Sequence, residues 1–178
     1  MDPVPLASVD ATALRWLRRR ESPLEFDLLA GDRLVGSMTW GSKSGTLATF
    51  ATASTTWTLK RGGFLNPHIT VRAAGSTATA ARLSVHLNYH RIEVTGAGAY
   101  RFHRAGVLVP AWKVTEEGGS EVLHVEPVRE GRKLTAGAVL ASEAATRKPA
   151  FPLLVGTSWY FIVLAWFEDE TLAALEPA

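Results

Sequence analysis

The chain has 178 residues, 47% of them hydrophobic and 20% charged, which excludes broad disorder and allows a single domain with a sizeable core. It contains no cysteine, which removes disulfides, thiolate metal sites, cysteine nucleophiles and palmitoylation, and fits a reducing cytoplasm. Lys and Arg number 19 against 17 Asp and Glu, and the resulting +2 is too small to point to nucleic acid.

No secretory signal is expected at the N-terminus. Asp2 and Asp10 interrupt it, it has no apolar core, and its first basic residue is Arg15. From Ser8 or Asp10 the sequence predicts a short helix, since either residue can act as N-cap and Ala13, Leu14 and Leu17 form an apolar stripe. Arg15, Arg18, Arg19 and Arg20 then cluster around Trp16. Such a cluster suits a solvated helix end, where cations complement the dipole. The sharper reading is contact with anionic phosphate, from lipid or nucleic acid.

Alternating segments follow. Leu24, Phe26 and Leu28 run into a turn at Ala30-Gly31-Asp32-Arg33, and Leu34, Gly36, Met38 and Trp40 alternate on the way back. A turn at Gly41 to Gly45 leads to a Thr- and Ala-rich stretch, Thr46 to Ala53. Trp57 with Leu59 and Ile69 with Val71 mark two further strands. Ala73 to Ala81 is poor in large side chains. Leu83, Val85, Leu87 and Tyr89 then alternate as one strand, and the phase changes at Arg91, which predicts a bulge or bend there. Tyr100 and Phe102, then Leu108, Trp112 and Val114, form a hairpin. Val122 to Val128 and Leu134 to Leu140 complete the set. About ten short strands at near-regular spacing indicate an all-β barrel or sandwich.

Glu143 to Pro149 reads as a polar connector into Phe151 to Phe167, an uncharged run expected to stop at Glu168-Asp169-Glu170, with Thr171 to Ala178 as a tail. As a helix this run would extend roughly 25 Å. It reads two ways. It is a core helix apolar on every face because a barrel surrounds it, or it is the span 151–167 of a tail-anchored protein with a cytoplasmic β domain. The strands need an interior filler, which favours the buried helix.

Chemistry-bearing patterns are weak. His86 and His90 are spaced i, i+4, but on one strand their Cα atoms would stand roughly 13 Å apart, too far to share an ion without His103 or His124. Gly96 to Arg101 lacks the third glycine of a dinucleotide loop. Gly36 to Ser44 has Ser42 where a phosphate-binding loop has lysine, and both stretches read as hairpin turns. Ser158 lacks the second glycine of a nucleophile elbow. No metal site, cofactor or catalytic constellation is expected, and aromatic residues on the inward strand phase argue against nucleic acid.

In pattern and order, roughly from Leu14 to Phe167, the chain resembles the tubby-like superfamily: tubby C-terminal domains, phospholipid scramblases and LURP-one-related proteins. The matching features are the hairpins Leu24 to Trp40 and Tyr100 to Val114, and Pro152-Leu153-Leu154 leading into Trp159 to Phe167. With no cysteine cluster and no acidic calcium loop, the chain looks closest to the LURP-one-related branch. The resemblance implies a closed antiparallel barrel of about twelve strands around a hydrophobic C-terminal helix, here about 152–167, as one domain over 1–178. It also implies a non-enzymatic binding or scaffold role. The expected ligand is an anionic lipid head group at a membrane surface, met through Arg15, Arg18, Arg19 and Arg20 by a cytoplasmic, peripheral protein.

Overall fold

The computed structural model describes residues 2–21, 24–42, 45–63, 65–106 and 110–175, with side chains as far as 168. Twelve antiparallel strands form one closed barrel. They are β1 (Ala13–Arg20), β2 (Glu25–Ala30), β3 (Arg33–Trp40), β4 (Leu47–Thr52), β5 (Thr56–Gly62), β6 (His68–Ala73), β7 (Thr79–Val85), β8 (His90–Val94), β9 (Gly98–Ala105), β10 (Ala111–Glu116), β11 (Glu121–Glu130) and β12 (Lys133–Ala141). Each strand pairs with its neighbours in sequence, and β1 closes the ring against β12, with Trp16 opposite Gly137. The period-two pattern explains the walls: Phe26 and Leu28, Met38 and Trp40, Leu59, Val71, Leu83, Ile92 and Phe102 are buried on the inward phase. Two connections are two-residue turns, between the pairs Ala30–Arg33 and Glu130–Lys133. Their first residues, Gly31 and Gly131, have φ of 59° and 60°, which a type II′ hairpin requires and a side chain would oppose.

The apolar run is the first part of helix α2 (Phe151–Leu175), and it passes through the barrel. Trp159 stacks on Trp16 of β1 at 5.5 Å and meets Phe26 of β2 edge-on at 5.2 Å. Tyr160 stacks on Trp40 of β3, and Phe161 packs against His90, Phe102 and Trp112 of β8, β9 and β10. Side chains from opposite walls therefore converge on one helix. By length and composition Phe151–Glu168 could cross a membrane, but 67% of that window is buried here. Its apolarity is used against the barrel wall.

Four sequence readings are corrected. Residues 8–20 are not a helix: Leu6–Ser8 form one 3-10 turn, Asp10 accepts from Thr12 N at 2.9 Å in a local turn, and Ala13–Arg20 is a strand. The spacing Leu14–Leu17 imitates a helical stripe, but barrel closure needs a strand to pair with both β2 and β12, and that pairing overrides it. Leu83 to Tyr89 is not one strand. His86 N donates to Tyr89 O at 3.0 Å, Val85 pairs with His90, and a turn between two strands causes the change of phase. The polar connector holds a one-turn helix, α1 (Glu143–Thr146), capped by Ser142. Finally, α2 runs through the acidic triplet to Leu175, because Glu, Leu and Ala end the apolar stretch without breaking a helix. Lys43, Ser44 and Leu108 lie outside the described residues.

Two glycines permit the close fit. A Cβ at Gly156 would stand 2.5 Å from Phe50, and one at Gly137 would run into the Trp159 indole. Gly137→Val is therefore expected to lose about 1–3 kcal/mol, lowering Tm by about 3–10 °C. A double-mutant cycle with Trp159→Leu, read by thermal melts, should recover part of that loss; strictly additive values would show that the clash is not with Trp159.

Candidate functional site

The four arginines singled out in the sequence do not form one patch. On β1 the inward phase is Leu14, Trp16 and Arg18, and the outward phase is Arg15, Leu17 and Arg19. Arg18 turns into the barrel mouth, where Nη1 donates to Leu134 O at 3.4 Å and the guanidinium lies 5.5 Å from the Trp166 ring. Arg19 bridges Glu25 at 3.0 Å and Asp27 at 2.8 Å, and Arg20 reaches Glu25 at 3.7 Å. Of the four, Arg15 alone is exposed with no ion pair among the described residues. Half of the cluster is spent on the β1–β2 seam.

The histidines do not converge either. The turn of residues 86–89 brings His86 and His90 closer than a single strand would, but to different sides: His86 stacks on Tyr89 at 5.0 Å, while His90 points inward onto Phe161 at 4.4 Å. His103 and His124 flank Lys113 on the outer face. Among the described residues no group of three or more His, Asp or Glu could hold a metal ion. Ser158 is fully buried in α2, out of reach of any substrate.

A cavity of about 820 Å³ lies where α2 enters the barrel, between residues 5–12, the β4–β5 turn and 143–152. Its charges are engaged. Arg147 pairs with Glu143, and Lys148 pairs with Glu116 at 2.6 Å, which raises the lysine pKa. The hydroxyl and amide of Thr12 hold the Asp10 carboxyl below its usual range. What remains facing the cavity has little charge to offer a ligand.

A different surface carries uncompensated charge. Between Arg33 and Ile92 the sequence has seven Lys and Arg and no Asp or Glu, so the rest of the chain holds the other twelve cations against all 17 acids, a net −5. The fold turns that stretch into β3 to β7 and most of β8, half of a closed wall. Its outward rows follow from the register: Thr39, Thr49, Thr58 and Arg72 in one, Lys60, Thr70 and Arg82 in the next. Lys60, Arg72 and Arg82 are exposed and form no ion pair among the described residues. Arg91 is tied to Glu93 at 3.2 Å and Glu117 at 3.3 Å. The result is a hydroxyl-rich wall with free cations, in which each position is ordinary and only the missing acids are unusual. A window count of charge finds it; the total of +2 hides it.

Comparison with protein-family models, with curated proteins and with solved structures gives no match. Geometry and chemistry alone carry the functional reading.

His90 supplies a pH dependence. Burial, and secondarily the charge of His86, push its pKa from 6.5 down to about 4. The fold thus favours the neutral ring, so its contribution is complete above pH 6.5 and is lost as pH falls towards 4. Wild-type Tm should decline across that window more steeply than that of His90→Phe. Parallel Tm profiles would show that the ring does not titrate in this environment.

Proposed function

We propose that the chain is a non-enzymatic binding module of the tubby-like kind, and that its ligand is the anionic head group of a phospholipid surface, taken on the outer wall of β3–β8. The tubby-like assignment rests on the resemblance in strand order and central helix. The choice of wall rests on one observation: the acid-free stretch from Arg33 to Ile92 becomes a continuous surface on which Lys60, Arg72 and Arg82 form no ion pair among the described residues, although Glu93 of β8 stands opposite Arg82 at its edge. Cations near an anionic membrane contribute ~1 kcal/mol each, and exposed hydroxyls add donors for phosphate oxygens. Base stacking finds no Trp, Tyr or Phe ring on the outward rows of this wall among the described residues: they carry chiefly Thr, Ser, Lys and Arg, with Leu47. Arg15 and Arg19 face outward on another part of the barrel and are a secondary contact in this reading.

Co-sedimentation of the purified full chain with phosphatidylcholine vesicles, with and without phosphatidylserine, tests this. Binding should require the anionic lipid and weaken with salt. The triple variant Lys60→Glu, Arg72→Glu, Arg82→Glu should lose at least about a hundredfold, since removing three cations at ~1 kcal/mol each gives that much and the added acids repel the surface, while Arg15→Gln with Arg19→Gln stays within about threefold. A triple variant that binds like wild type would move the site off this wall. Equal binding to neutral vesicles would remove the anionic ligand altogether.

A further inference from the structure

Three large apolar side chains stand exposed on adjoining strands of one wall. Leu17 of β1 is 41% exposed, Leu140 of β12 46% and Val128 of β11 47%. Register sets Leu17, Ala136 and Val128 in one outward row and Arg15, Ala138 and Glu126 in the next. The outward phase of β12 is therefore Ala136, Ala138 and Leu140, with no polar side chain, where the strands of the basic wall carry hydroxyls and cations. A lone exposed leucine needs no explanation. A contiguous apolar crest with a cation along one flank and an anion along the other does.

The two charges do not reach each other. Arg15 and Glu126 stand on either side of Ala138, two strand spacings or ~10 Å apart. Arg15 forms no ion pair among the described residues. Glu126 meets His124 at 3.2 Å, a contact that leaves the carboxylate uncancelled while the ring is neutral. Other charges beside the face are met within the chain, Arg19 by Glu25 and Asp27, and Lys113 by Glu121.

A second copy of the wall supplies the missing partners. Turned by half a rotation about an axis lying along β12, the copy sets its Glu126 over Arg15, its Arg15 over Glu126 and its Val128 over Leu17, while Ala138 and Leu140 meet themselves. An axis running across the strands would instead set Arg15 over Arg15, which like charge opposes. Shape agrees with the first axis. A ring of twelve strands turns its wall by about 30° per strand, so β12 is the crest of a convex face. Its alanines let two crests approach, and the longer side chains of β1 and β11 reach into the space that opens on either side.

We infer that the β11–β12–β1 wall is a self-association surface, on which two copies of this chain pair about a two-fold axis along β12 through reciprocal Arg15–Glu126 contacts. Three strands of wall offer fewer than the roughly 20–30 residues a side of a standard interface, so the dimer exchanges with monomer. β6 lies across the ring from β12, so both basic walls stay free, and the inference does not depend on the anionic-surface reading.

Sedimentation of the full chain over a range of concentrations tests this. Wild type should pass from monomer to dimer with a dissociation constant on the order of 10 μM. Arg15→Glu and Glu126→Arg should each weaken the dimer at least about tenfold with Tm unchanged. Mixed in equal amounts, these two variants should associate with each other, because one then carries only acids and the other only cations at the paired positions. A role for the two residues within one chain would not make two monomeric variants associate. Because the chain has no cysteine, Ala138→Cys beside the axis should be joined into dimers by a short bismaleimide, while Thr70→Cys on the outer face of β6 should not. Monomer at every concentration would overturn the inference and leave the wall to a partner other than this chain. A dimer that neither charge reversal weakens, single variants that stay apart when mixed, or equal cross-linking at 70 and 138 would overturn it as well.

Discussion

A closed barrel of twelve strands encloses more space than its own side chains readily fill; about eight strands is the size at which inward residues meet. The rest of this structure depends on how that space is occupied. Helix α2 occupies it with an uncharged stretch that has no polar face, which is stable in water only if every face is covered. The walls are fitted to the helix at the scale of single atoms. Gly137 leaves room for the Trp159 indole, Gly156 leaves room for Phe50, and Trp16 and Trp40 lie nearly parallel to Trp159 and Tyr160. The Tyr160 hydroxyl donates to Thr46 O and accepts from Arg61 N at 3.0 Å, so the most buried phenol is also the bond that fixes the helix in depth. Burial accordingly pushes the Tyr160 pKa well above its ordinary value.

Filling the interior decides where function can be. In a barrel with an open lumen a ligand goes inside. Here the Thr157 and Ser158 hydroxyls and the Trp16, Trp40 and Trp159 nitrogens are buried and have no hydrogen-bond partner among the described residues. Each such group carries a desolvation penalty. The aromatic packing around the helix leaves the interior no room for chemistry. The surfaces left open to solvent are the outer wall and the two ends, where backbone turns and long side chains are free to vary without loosening the core.

Much of the fold was legible in the sequence because two signals are local and strong. Period-two alternation recurs with turn residues between segments, and one long uncharged run needs a container. The misreadings share a cause. At 13–20 the arginines obscure the alternation of Leu14 and Trp16, and only the closing pairs with β2 and β12 decide the conformation. At 83–90 the apolar residues Leu87 and Tyr89 keep the strand rhythm across a turn, since their outward exposure cannot be seen in one dimension. The arginine cluster attracted a ligand reading because the four residues are adjacent in sequence. In three dimensions they part: Arg19 and Arg20 meet Glu25 and Asp27 of the next strand, Arg18 turns into the barrel mouth, and Arg15 faces outward apart from them.

The basic wall was missed for the opposite reason. Lys60, Arg72 and Arg82 are ten or more residues apart, so no window of a few residues groups them, and the whole-chain total cancels them against acids that sit elsewhere on the barrel. An up-and-down barrel converts sequence proximity at the scale of a hairpin into lateral proximity on a wall. In such a fold the informative length for charge is neither the single turn nor the whole chain but several consecutive strands. Over that length, 60 residues without a carboxylate is a property of the surface rather than of any residue on it. The acids supply the counterpart. Glu25 and Asp27 pair with Arg19 and Arg20 of β1, and Glu121 holds Lys113 at 2.6 Å, so many cations of the other half of the barrel have an acid beside them. Exposed pairs of this kind add little stability, and their effect is better seen in the field they cancel. One half of the barrel carries charges of both signs, and the acid-free stretch of β3–β8 carries cations alone.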